Sequence, residues 1–202
     1  RNNLKQCGLA MHNYNDVFKT FPTGYIGATV AQLGEGHWGW STMILPYLDS
    51  SPVYNQIGHG RNTISQVLAN SPQVFDLQYG WPVFQCPSAG LPVVNAGMTL
   101  DSERPNRQIS GHSLMAISYV VINSPGPLRR DPPEKFRGAF FRNSSVDCGE
   151  IIDGLSNTVF MGERAWQRRG VRPQAGVGFG IVNDQTAADG LGVTEGGRSR
   201  AD

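Results

Sequence analysis

The chain has 202 residues, enough to fill one core and seldom more than one domain. Apolar residues make up 39% and charged residues 16%, with 25 glycines and 13 prolines; this mixture excludes both a disordered segment and an all-helical bundle. A formal net charge of +1 gives no global field to steer the protein toward nucleic acid or an anionic membrane, and no run of 18 apolar residues offers a bilayer span.

The first predicted element is a helix over about residues 1–19. Leu4, Cys7, Met11, Tyr14 and Phe18 recur at spacings of 3, 4, 3 and 4, with Asn2, Asn3, Lys5, Gln6, Asn13, Asn15 and Asp16 between them. That is a one-faced amphipathic helix, stopped by Phe21-Pro22 and Gly24. It begins at Arg1 without a cap, which suggests a helix continuing upstream in a longer chain. A Gly-rich connection over 22–39 leads to Trp38-Gly39-Trp40, and Ser41 is a fair N-cap for a short apolar helix that Pro46 limits. Pro52 starts another short helix through Ile57, and one further turn is expected at Ile64–Ala69.

From residue 81 the pattern turns toward strands. Pro82–Pro87 reads as an edge strand, because each proline removes a ladder donor. Residues 88–112 read as a long loop, and Ala116–Ile122 is the best strand by its β-branched and aromatic content. Gly138–Arg142, Thr158–Gly162 and Gly176–Val182 complete the expected strands, and residues 183–202 have the composition of a flexible tail or loop. One helix lying on four or five short antiparallel strands is an α+β layout.

Candidate chemistry is sparse. DGLSNT, followed by Glu163, is the most specific internal motif. Asp153-Gly154 suits a tight turn, and Ser156 or Asn157 can bond nearby backbone. Asp153, Asn157 and Glu163 are also candidate oxygen ligands for Ca²⁺, although no DxDxDG loop is present. Trp38, Trp40 and Trp81 are a candidate ligand platform if exposed and core residues if buried. Arg164, Arg168, Arg169 and Arg172 around Trp166 are a candidate contact for an anionic partner, in a cluster too short to indicate nucleic acid. His12, His37, His59 and His112 show no metal-ligand spacing; no GxSxG elbow occurs, and Gly176–Gly180 is GxGxG without a following helix pattern. Asp147, Glu150, Asp153 and Glu163 could serve a hydrolase only if two of them converge in a cleft. Nothing in the pattern singles out a catalytic residue.

Five segments, NNLKQCGLAMHNYNDVFKTFPTG (2–24), WGWSTMILPYLDSSPVYNQI (38–57), VFQCPSAG (83–90), SYVVIN (118–123) and GAFFRNSSVDCGEIIDGLSNTVFMGERA (138–165), carry a resemblance. In order, they resemble the DUF1559 (SBP_bac_10) family of prepilin-like proteins from planctomycete-type bacteria. The resemblance implies a pilin-like fold: residues 1–20 as the C-terminal part of a pilin-like helix, 21–182 as an α+β head, and 183–202 as a tail. It also implies a cleaved prepilin leader, a hydrophobic anchor helix, export to the cell envelope (periplasmic or cell-surface), and no enzymatic activity. The expected work is that of a structural or adhesive subunit in a type IV pilus-like or type II secretion pseudopilus-like assembly, with other pilin-like subunits or further copies as partners. In that setting Leu4, Met11, Tyr14 and Phe18 would attach the head to the helical stalk. The fold-level likeness to calcium-binding pseudopilins is the reason for considering Ca²⁺ at all. The alternatives are a surface glycan- or solute-binding module, as the label SBP implies, and a hydrolase. For an exported chain with three cysteines, either Cys86 pairs with Cys148, leaving Cys7 in the helix core, or all three are buried thiols. The family's H-X9-DG signature is not matched, since Phe179 stands where His would precede Asp189-Gly190.

Overall fold

In a computed structural model, the described residues are 2–26, 37–74, 81–99, 113–124, 138–141, 143–164, 176–177, 180–181 and 193–195. Helix α1 (Asn2–Phe18) buries Cys7, Ala10 and Met11, while Leu4 packs against the same core from its edge. The 3-4 spacing of these apolar residues is what puts them on one stripe. The helix ends at Lys19, which takes the left-handed conformation at φ 61°, donates its backbone N–H to the Asn15 carbonyl (2.7 Å) and reaches the Asp16 carbonyl with Nζ (2.8 Å). Lys19 thus closes two of the carbonyls that a helix C-terminus leaves open, one with its backbone N–H and one with its ammonium.

Beyond α1 the chain zips onto a distant segment. Phe21 donates to the Val146 carbonyl, Gly24 to Phe141, and Asn143 returns a bond to Tyr25, all at 2.8 to 3.1 Å. Thr23 Oγ1 donates to the Phe141 carbonyl and accepts from the Ser144 N–H. Gly24 is required here, because a Cβ would lie 2.6 Å from the Phe140 carbonyl oxygen. The expected Gly138–Arg142 strand does not form over its described residues 138–141, whose bonds go to the 21–25 segment and to Ile122.

Short helices follow. After β1 (His37–Trp38), α2 (Trp40–Met43) runs into a 3-10 turn at Leu45–Leu48 carrying Pro46. The N-cap of α2 is Gly39, whereas the expected cap, Ser41, is buried inside the helix. Helix α3 (Ser51–Ile57) carries Pro52 in its first turn and ends on left-handed Gly58. Helix α4 (Ile64–Asn70) starts at a Thr63–Gln66 capping box, two reciprocal bonds of 3.2 and 2.9 Å.

Pro82–Phe84 is a 3-10 turn, which corrects the edge-strand expectation. Pro82 occupies the start of a helical turn, where its missing N–H costs nothing. Strand β2 (Val94–Thr99) lies inside the stretch expected as a loop. The expected Ala116–Ile122 strand is two strands, β3 (Ser113–Ile117) and β4 (Tyr119–Ser124), separated by Ser118. Ser118 turns the chain from one ladder to the next: its N–H donates to Phe84, its carbonyl accepts from Arg164, and its Oγ accepts from Cys86 at 2.7 Å. β3 pairs with β2 and β6 (Gly176–Val177). β4 pairs with β5 (Met161–Glu163) and β8 (Val193–Glu195), and β7 (Gly180–Ile181) pairs with β1. The expected Gly176–Val182 strand is therefore divided between two ladders, Thr158–Gly162 becomes a strand only at Met161, and the region expected as a tail contributes β8. The β4–β8 pair is parallel, so the strands are not uniformly antiparallel.

The fold is α+β. Trp40, Phe84, Tyr119 and Phe140, each 0% exposed, and Tyr25 at 1%, lie in one apolar cluster with Ile44, Leu45, Ile57 and Ile64. Among the described residues no helix is long and apolar enough to cross a membrane.

Candidate functional site

Helix α1 has a buried face and an exposed one. The inner face is fastened to the 82–86 turn at its start: Asn3 Nδ2 donates to the carbonyls of Pro82 (3.0 Å) and Gln85 (2.9 Å), and Cys7 Sγ lies 3.9 Å from the Val83 carbonyl. Burial pushes the Cys7 thiol up to about 12. At the other end Tyr14 meets Phe18 at 4.4 Å and Tyr47, from the 3-10 turn, edge-on at 6.2 Å. Burial first, then the neighbouring phenols of Tyr54 and Tyr47, raise the ionisation of Tyr14, so this cluster stays neutral.

Three large apolar side chains of α1 are exposed among the polar Asn2, Lys5, Gln6, His12 and Asp16. Leu9 is 60% exposed, Val17 61% and Phe18 53%. Leu9 and Val17 stand two turns apart, off the buried stripe. Leu4 and Tyr14 are half-buried and Met11 is fully buried, so of the four residues expected to hold head to stalk, Phe18 is the one that faces solvent.

Cys148 meets Asn15 near the end of α1, and the segment 143–160 around it is shaped by local polar bonds. Asp147 Oδ1 caps the 3-10 turn Cys148–Glu150 by accepting from Gly149 (2.6 Å) and Glu150 (3.1 Å), and Glu150 Oε2 accepts from the Asp147 N–H in return. A second 3-10 turn, Leu155–Asn157, follows Gly154 at φ 84°. This frame displays Ile152 (93% exposed), Leu155 and Val159 to solvent.

The expected sites fare differently. Asn157 donates Nδ2 to the Asp153 carbonyl (2.9 Å), and Thr158 Oγ1 donates to the Gly154 carbonyl, so DGLSNT is a hydrogen-bonded turn. Glu163 lies apart from it on β5, exposed and paired in register with Tyr119, and no group of three or more His, Cys, Asp or Glu that could hold a metal ion occurs among the described residues. Asp147 and Glu150 are spent on each other as the capping box.

The tryptophan platform is corrected: Trp38, Trp40 and Trp81 are 4%, 0% and 8% exposed, and their rings serve the core. Trp40 and Trp81 meet Phe84 edge-on, and Trp38 donates Nε1–H to the Asn62 carbonyl. Arg164 is half-buried at the β3–β4 break, whereas Trp166, Arg168, Arg169 and Arg172 lie outside the described residues.

The Cys86–Cys148 disulfide is also corrected. All three cysteines are free; Cys86 Sγ contacts Ser88 Oγ at 3.2 Å, and exposed Cys148 donates to Asn15 Oδ1 at 3.3 Å. Cys86 follows Gln85, which Asn3 holds at the start of α1, while Asn15 is near its end. At 1.5 Å rise per residue the two levels are about 18 Å apart, and a disulfide needs α-carbons within about 7 Å.

Sequence reading missed His59. It stacks on Tyr54 (5.4 Å, 21°) and leans on Trp38 (6.3 Å), its Nε2 is buried without a partner, and burial lowers it to about 4. It also missed Leu9 and Val17, whose signal was present: two apolar residues off the stripe of an otherwise polar face.

Comparison of the chain with curated proteins and with solved structures finds no match. A family model matches residues 1–195, and the chain belongs to that family, SBP_bac_10, described as a protein of unknown function (DUF1559).

Proposed function

We propose that the chain is the head of a prepilin-like envelope protein, exported and held by a hydrophobic helix upstream of α1, and that its work is structural and non-enzymatic. The observation that carries this reading is the double-sided character of α1. Its inner stripe roots the helix in the head, while Leu9 and Val17 off that stripe and Phe18 at its end remain exposed. A helix with that pattern is suited to lie between its own head and the helices of neighbouring subunits, where the exposed apolar area is removed from water. The capped 143–160 segment, with Ile152 and Val159 at its surface, supplies a stiff second contact beside the helix end. Calcium has no part in this reading, because the DGLSNT turn is held by its own side chains.

Electron microscopy and light scattering of the leader-processed, anchored protein test the proposal. Filaments or ordered oligomers that vanish when the anchor helix is removed are expected. A strictly monomeric anchored protein would overturn it.

A further inference from the structure

Two sets of exposed apolar side chains lie on different sides of α1. The first is Leu9 and Val17, 60% and 61% exposed. The second belongs to the segment 143–160: Ile152 at 93%, Val159 at 68% and Leu155 at 37%. That segment is fixed to one side of the helix end, because Cys148 Sγ donates to Asn15 Oδ1 and Phe160 packs on Phe21 at 4.9 Å. At about 100° of turn per residue, Val17 points about 160° away from Asn15, and Leu9 about 120° away in the opposite sense. In this fold the two sets therefore cannot cover each other within one chain.

Their charges are opposite as well. From 143 to 163 the sequence carries Asp147, Glu150, Asp153 and Glu163 and no Lys or Arg, and all four carboxylates are exposed. From Asn2 to Lys19 there are two lysines and one acid, Asp16, and exposed Lys5 stands one turn before Leu9. Next to Leu9 is Gly8, a residue that weakens a helix interior relative to alanine. Among the described residues nothing lies within 4 Å of where a Cβ on Gly8 would stand, so no contact inside the chain calls for glycine there. Bare backbone beside an exposed leucine suits close approach from outside.

We infer that the 150–159 surface of one copy docks on the Leu9–Val17 side of α1 in the next copy. This rests on the assembly reading above and names the surface that meets α1 at the level of the head. Ile152 and Val159 leave water against Leu9, Val17 and the open backbone at Gly8. The carboxylates around the acidic surface face the lysines of the helix, which sets the register more than the strength of the contact. Because two different surfaces meet, every copy keeps one of each unused, and the contact repeats head to tail. Pairing two acidic segments instead would close at a dimer and set carboxylate against carboxylate.

The test is photo-crosslinking in the anchored, leader-processed protein with p-benzoylphenylalanine in place of Leu9, mixed with wild type grown on heavy nitrogen. Leu9 is exposed, so the replacement leaves the head folded. The expected product joins the light tryptic peptide 6–19 to the heavy peptide 143–164. Ile152→Glu supplies a second reading without a reagent: ordered assemblies are lost and the urea midpoint is unchanged. Assemblies whose link goes to the heavy peptide 6–19, or that form no heavy 143–164 link, overturn this inference and leave the assembly reading standing. Assemblies of Ile152→Glu equal to wild type do the same. An anchored protein that stays monomeric and forms no heavy link sinks the assembly reading and this inference with it.

Discussion

The region around α1 and the short helices, and the segment 143–160, are held by different physics. In the first, burial dominates: Trp40, Ile44, Leu45 and Phe84 are 0% exposed in one cluster. In the second, the backbone is shaped by side chains bonding to it locally, through Asp147, Glu150, Asn157 and Thr158, and apolar residues such as Ile152 point into water. The lesson is that stability and surface chemistry are assigned to separate places. A change at the core should be felt by the whole fold, and a change on the capped segment only by what touches it.

The largest effect to break that contrast should come from Trp40→Ala. Its ring is fully buried and edge-on to Phe84 at 5.8 Å, and truncations of this kind cost about 3–5 kcal/mol, read as a lower urea midpoint.

Acid should act on the same region next. His59 is lowered to about 4 by burial against an ordinary value of 6.5, so the unfolded chain binds the extra proton first. Stability is then fully present above pH 6.5 and falls as pH drops toward 4, by at most about 1.4 kcal/mol per pH unit. Melting temperature followed across that window should decline in wild type and flatten in His59→Phe.

Asp147→Ala removes two charge-assisted bonds at the 3-10 turn and should cost about 1 kcal/mol, seen as faster amide exchange at Gly149 and Glu150. Smallest of all, Ile152→Ser should shift the urea midpoint by no more than about 0.5 kcal/mol, because its side chain is already in water. A core-sized loss from Ile152→Ser would erase the distinction between the two regions.

What was legible in the sequence follows the same division. Helices α1, α3 and α4 were visible because their signals are local: a 3-4 stripe from Leu4 to Phe18, Pro52 in a first turn, and an apolar turn at Ile64. The strands were partly hidden because pairing is non-local. Val94–Thr99 becomes β2 through its partner β3, and Val193–Glu195 becomes β8 through β4, in composition that otherwise reads as loop. Ser118 gave no warning that it splits the strongest strand, since its three bonds go to Phe84, Cys86 and Arg164. Of the site residues, the tryptophans could be assigned to core or surface only by the fold. The cysteine arrangement required knowing which end of α1 each thiol meets.

The central claim is that the outer face of α1 serves contacts between subunits and contributes nothing to the fold of the head. The most direct test is electron microscopy of the anchored, leader-processed protein carrying Leu9→Glu and Val17→Glu, beside urea denaturation of the same variant. The account predicts that ordered assemblies are lost while the urea midpoint stays within about 0.5 kcal/mol of wild type, since both side chains are more than half exposed. Assemblies that persist unchanged with both charges in place would contradict it.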